Sequence, residues 1–433
     1  MDQAAIRQYC ADITACVAGI LAELDAVAPE PPPDGSYVET GGDLQAALDA
    51  GGLVTLAVNG VYAEPGGYTF TTASTALVGD GTQTVLAASA PALRVPPEIG
   101  SISLEGVIVD VETHTGGVQI GRNDDAQTTL AQAPSGIRIH AVKASGHRGK
   151  RVFEINARNV ELTNCEVYDS YDPGGQDSQA IWLGNCPGPV TILGGYFEGA
   201  SENLMVGGDT MKIPDCRPTG ITIRGATFVK PLTWQAAGTP KVKNLLELKD
   251  GHDVLVEDCT FAQCWKSAQD GYAFMLTPSQ GGSLQNVVIR NCRVRDVGGI
   301  VNITGTDASG INPQRTQVAI RGGDYRTNKL AMGGSGRFCL ANRGPEWIIV
   351  EDCVITHEGS AFCDLADDKA PIDLLRIVNS TWNYGSYGIR IGGCNHGDNA
   401  LGIIGTIEIT GNTITGAHSL FRDRYPENTY LEE

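Results

Sequence analysis

The chain has 433 residues and is rich in glycine, with few aromatic and few charged side chains, the composition of an ordered, turn-rich protein and not of a disordered one. Its formal net charge of -19 works against nucleic acid or an anionic membrane surface as the main partner, because both would repel it. No apolar run approaches the length of a membrane span, so no membrane insertion is expected.

The first element is IRQYCADITACVAGILAELDAV, in which Ile6, Cys10, Ile13, Val17, Ile20, Leu24 and Val27 recur in alternating steps of four and three. That is a heptad seam, with Ile6, Ile13, Ile20 and Val27 at d and Cys10, Val17 and Leu24 at a. β-Branched d residues disfavour a two-stranded parallel coil and suit three or four strands. The spacing predicts a helix over 1–30 that oligomerises, with a homotrimer preferred, or that folds back over the N-terminal end of the main body of the chain. PEPPPDG then predicts a stiff extended linker over 31–40. The opening MDQAAIRQYC has no basic n-region and no continuous apolar stretch, so an export signal is not expected. Synthesis in a reducing cytosol is therefore expected, with most of the 12 cysteines as free thiols.

From residue 41 to 433 the pattern changes to one of strands and turns. DLQAALDAGG predicts a short helix at about 43–50, with Asp43 as its N-cap, Gly51 and Gly52 ending it, and Leu44, Ala47 and Leu48 facing inward. An eight-residue pattern then repeats: apolar, any, apolar, any, Gly/Asn/Asp, small or Cys, any, apolar. Its copies start at Val160, Val190, Ile221, Val254, Val287, Val318, Ile348, Leu375 and Ile407, with weaker ones at Ile102 and Ile137. The alternation is that of a strand with one face buried. The fifth residue (Asn164, Gly194, Gly225, Asp258, Asn291, Gly322, Asp352, Asn379, Gly411) is of a type that tolerates a left-handed backbone, so each copy should bend there. Further strand signals lie between the copies (VFEINARN, AIWLGNCP, LLELKDGH, AFMLTPSQ, IVNITGTD, GIRIGGCN), and a third strand is expected in each coil. The prediction is an all-β, right-handed, single-stranded parallel β-helix of about eleven or more coils, roughly 50 Å long. Cys165, Cys259, Cys292 and Cys353 share the sixth position and should stack in its core as small apolar residues.

The capping helix and first strands, through STALVGDGTQTVL, resemble those of the pectate-lyase-like β-helix superfamily, over roughly residues 37 to 433. The stretch from ENLMVGG through KPLTW to AFMLTP is similar to uncharacterised bacterial β-helix repeat proteins. In organisation the chain resembles bacteriophage tailspikes and virion fibres: a helical attachment, no export signal and a long acidic solenoid. That resemblance implies a virion structural protein assembled in the host cytoplasm, with other virion proteins bound through the N-terminal helix and a β-helix surface offered to host glycans. An extracellular location is the alternative. The alternative activity is that of a polysaccharide hydrolase or lyase.

Complete catalytic blocks of the β-helix enzymes are missing. The Asn-Thr-Asp, Gly-His-Gly and Arg-Ile-Lys set of polygalacturonase-like enzymes is not found, nor is the Arg-x-Pro-x-x-Arg block of pectate lyases. The candidate catalytic carboxylates are Glu247, Asp270 and Asp209, with Glu247 and Asp270 as the pair. Trp234 and Trp265 are candidate flat surfaces for a sugar ring, with Lys249 beside them in LLELKDG. The same residues equally suit a turn acceptor, a surface ion pair and buried packing. The loops 169–179 and 210–218 are candidate binding surfaces. The glycines of GIRIGGCNHGDN lack the strand-to-helix context of a phosphate loop, and GRNDDAQ lacks a full calcium-loop pattern. No cofactor and no metal site is expected.

Overall fold

The computed structural model describes residues 35–111, 116–146, 150–238, 241–365, 371–391 and 404–431. The heptad seam from Ile6 to Val27 lies outside the described residues, as does most of GIRIGGCNHGDN. The chain is a right-handed parallel β-helix of three strands per coil. Its first strand, Gly35–Val38, pairs in parallel with Leu53–Leu56, so the solenoid starts inside the segment read as a linker.

The repeat maps directly onto the coils. The first residues of the copies, from Val160 through Val190, Ile221, Val254, Val287, Val318, Ile348 and Leu375 to Ile407, are register partners from one coil to the next. Alternation of side chains along each strand puts these positions inside, where all are buried but Ile407, which is partly so. At the fifth position every one of the nine residues has positive φ, from Asn379 at 50° to Gly411 at 69°. Asn, Asp and Gly adopt that conformation at the least cost, and the chain turns a corner there. Past the corner, Val167, Phe197, Phe228 and Phe261 stack in register, with ring centroids 5.4 Å apart for Phe197 and Phe228 and 5.0 Å for Phe228 and Phe261. Cys165, Cys259, Cys292 and Cys353 sit beside them in the core, all buried.

The strand signals between copies form a separate twelve-stranded parallel sheet, the lateral sheet, which at ~4.8 Å per strand runs roughly 55 Å. It includes Arg151–Ile155, Gln179–Leu183, Glu202–Val206, Asn244–Leu248, Tyr272–Leu276 and Gly299–Thr304. Helix α1 (Leu44–Ala50) closes the N-terminal end as expected: Asp43 accepts from the Ala46 amide, Gly51 ends the helix with φ 73°, and Leu44, Ala47 and Leu48 are buried. Two further helices, α2 (Leu232–Ala237) and α3 (Lys329–Met332), leave the solenoid wall and meet where Gln235 Nε2 donates to the Ala331 carbonyl. At the far end α4 (Ser419–Arg424) packs Phe421 against Trp382 and Tyr384. No helix among the described residues is long and apolar enough to cross a membrane.

Candidate functional site

The outward side chains of the lateral sheet form one stripe along the solenoid. Glu154, Trp182, Met205, Glu247, Met275, Asn302 and Leu340 are successive register partners. Leu246 and Leu248 point into the core, so Glu247 between them must point out. It does so at the floor of an open groove of about 440 Å³ that is also lined by Lys249, Gln269, Asp270, Tyr272, Met275, Thr277, Asn302 and Leu340.

Glu247 is heavily engaged. Its Oε1 lies 2.5 Å from Lys249 Nζ, and its Oε2 accepts from Asn244 Nδ2 at 3.1 Å. Lys249 also donates to Thr277 Oγ1 at 2.8 Å. Behind Glu247 is a second carboxyl. Glu202 is the register partner of Asn244 on the preceding coil, is only 1% exposed, and makes a side-chain hydrogen bond with Glu247. Gln179 Nε2 donates to Glu202 Oε2 at 2.7 Å, and Lys243 Nζ stands 3.3 Å from Oε1. Burial, followed by the nearby Glu247 charge, pushes Glu202 up to about 7 against the opposing pull of Lys243 and Gln179. Glu202 therefore keeps its proton until near neutral pH.

A buried lysine supports this arrangement from within. Lys230 Nζ donates to the carbonyls of Gly199, Ala200 and Ser201 and to Asn203 Oδ1. It thereby pins the turn from which the Glu202 strand departs, and burial pulls its pKa down to about 8.

Of the residues expected from sequence, the structure brings Glu247, Lys249 and Asp270 into one groove. Asp270 is half-buried there and lies 3.4 Å from Lys266 Nζ. Asp209 is not with them: it lies on a neighbouring loop, 3.9 Å from Arg151 Nη2. The expectation for the two tryptophans is corrected, because neither offers a face to solvent. Trp234 is 4% exposed, donates from Nε1 to Asp169 Oδ1 at 3.1 Å and packs on Tyr171; Trp265 is 5% exposed within the core cluster. Glu202, Gln269 and Tyr272 are additions of the structure. ENLMV carries a signal for the first of these, since it falls between copies as AIWLG and LLELK do. Among the described residues no group of three or more His, Cys, Asp or Glu is placed to hold a metal ion.

Glu202 and Glu247, in hydrogen-bond contact, are closer than the ~5 Å between the carboxylates of a retaining glycosidase. Glu202 therefore acts on Glu247 and does not face it across a substrate. What the groove can present to hydroxyl-bearing ligands is the Glu247 carboxyl with the Lys249 ammonium and the Gln269 amide.

No protein-family model matches the sequence, and neither does any curated protein. Solved structures match in fold. The catalytic unit of a thermostable GH87 alpha-1,3-glucanase from Streptomyces thermodiastaticus strain HF3-3 aligns at TM-score 0.55 and 12% identity, over 89% of this chain and 70% of that one. A mutant tailspike protein of E. coli bacteriophage HK620 in complex with pentasaccharide aligns at 0.50 and 12%, over 87% and 63%. The surface adhesin PfbA of Streptococcus pneumoniae aligns at 0.47 and 12%, over 90% and 94%. The first two likenesses place the chain in the parallel β-helix architecture, and it spans less than two thirds of the tailspike's length.

Proposed function

We propose that the protein is a tailspike- or fibre-like virion component that holds a glycan along the outward face of its lateral sheet. The observation that supports this reading best is the stripe itself. Polar and apolar side chains repeat at the coil spacing and open into one groove around Glu247 and Lys249, a layout suited to a polymer with a repeating set of hydroxyls and ring faces. The virion setting extends the heptad seam of residues 6–27 and the pentasaccharide of the structurally similar tailspike. Under this reading the N-terminal helices assemble a homotrimer and engage other virion proteins.

Two measurements test it. The solution mass of the full chain beside a chain beginning at Asp34 should read trimer and monomer; monomers of both would remove the assembly role. Glycan-array binding should be lost on Lys249→Ala with thermal stability retained, and an array without any bound glycan would end the binding role. The second reading, polysaccharide hydrolysis, is favoured by Glu202, which keeps its proton until near neutral pH directly behind the Glu247 carboxyl of the groove. It expects Glu247→Gln to abolish cleavage with the fold intact, and it fails if the wild type cleaves no glycan in a broad panel.

A further inference from the structure

Three register steps from Glu247 toward the N-terminus, about 14 Å along the stripe, Arg151 lies against its neighbour Trp182. Its guanidinium carbon sits 3.5 Å from the centre of the indole ring, and Trp182 is itself fixed by donation from Nε1 to the Gly207 carbonyl at 2.9 Å. A guanidinium laid on an indole has its plane and its donor directions set before any ligand arrives. The nearest acids are Glu154 at 3.8 Å and Asp209 at 3.9 Å, both beyond hydrogen-bond distance. They offset the charge of Arg151 without occupying its donors. Among the described residues nothing accepts a hydrogen bond from this guanidinium; Nε is shut inside the wall, and the Nη groups are the donors that a ligand can reach. Unmet donors on a partly buried, stacked side chain are costly, and they point to an acceptor that the protein does not itself supply.

The space beside Arg151 is a recess of about 220 Å³, bounded also by Lys150, Gln119, Glu154, Val118 and Pro91. We propose that this recess is a subsite for the carboxylate of an acidic sugar, with Arg151 donating to the carboxylate and Lys150 adding a second positive charge. It rests on the reading of the lateral face as a glycan-binding surface and adds the substrate class. A planar guanidinium fork matches a carboxylate in a way that a lone ammonium does not. The acidic body of the protein repels a polyanion at long range, so recognition must come from this local donor set.

The test uses glucuronate, its methyl ester, glucose and inorganic phosphate as separate probes of the full chain, read by ligand-observed NMR titration. The wild type should bind glucuronate at least about tenfold more tightly than glucose or the ester, the loss expected for one charge-assisted interaction. Arg151→Gln should remove that preference, Arg151→Lys should restore part of it, and Glu154→Gln should strengthen it by relieving a competing acid. Equal binding of glucuronate and its ester by the wild type would overturn the proposal, and this arm requires no variant to fold. A preference untouched by Arg151→Gln would also overturn it, as would tighter binding of phosphate than of glucuronate at the same residues. If the glucuronate preference holds but no polymer binds the groove, the subsite stands and the glycan-holding reading of the groove falls.

Discussion

Replacing Glu202 by Gln should make the protein more stable at alkaline pH and leave it unchanged in acid. In the folded chain Glu202 is raised from 4.5 to about 7, chiefly by burial and then by Glu247. A carboxyl raised on folding binds a proton in the native state that the unfolded chain has released. Its contribution is therefore favourable at low pH and is lost as pH rises through the window from 4.5 to about 7. At about 1.4 kcal/mol for each pH unit, ionising Glu202 in place costs roughly 3 kcal/mol by pH 8. Gln cannot ionise, and its amide can still donate to Glu247, so the variant escapes that cost. Lys243 loses one partner but keeps Asp177, to whose Oδ2 it donates at 2.7 Å. The assay is urea unfolding of both proteins at matched pH from about 4.5 to about 8. His357 does not confuse the comparison, because it is present in both proteins. Burial pulls that histidine from 6.5 down to about 4, so its contribution is full above 6.5 and is lost as pH falls toward 4. In the wild type the two groups slope oppositely and offset each other; the difference between the two proteins isolates Glu202. A gap that stays flat across the range would refute a protonated Glu202 in the folded state.

The same variant exposes the histidine limb: Glu202→Gln should lose about 2 kcal/mol of stability between pH 6.5 and about 4.5, measured in the same urea series. Lys230→Met should destabilise by about 3 kcal/mol, because the carbonyls of Gly199, Ala200 and Ser201 lose their donor inside the wall; an unchanged melting temperature would contradict this. Phe228→Ala should cost about 4 kcal/mol by opening a gap between Phe197 and Phe261, with hydrogen exchange read on the strands to either side. Among the described cysteines, thiol labelling of the native protein should mark Cys216, which is part-exposed, ahead of the buried rest. Burial raises Cys165 to about 11 and Cys353 to about 12, which keeps them as thiols. Rapid native labelling of Cys353 would show that the core opens.

The repeat alone carried the coil. Alternation with period two separates inward from outward residues, and only Gly, Asn or Asp takes the left-handed bend cheaply, so the nine corners from Asn164 to Gly411 were legible residue by residue. The helix at Leu44–Ala50 was legible for the same local reasons, a capping Asp43 and a terminating Gly51. Those signals are short-range. Alternation says that Glu247 points out, but not which side chain of the adjacent coil meets it, because the loops that set coil-to-coil register vary in length. Glu202 reaches Glu247 only through the pairing of its strand with Asn244–Leu248, and Asp209 and Asp270 part company because their loops leave the wall in different places. Trp234 and Trp265 look alike on paper to exposed platforms, and only the folding of their segments onto the core decides that both are buried. Sequence determined the rungs, since each is a local conformational preference repeated. The tertiary structure decided the site, since its groups come from different rungs and meet only when those rungs are stacked in register.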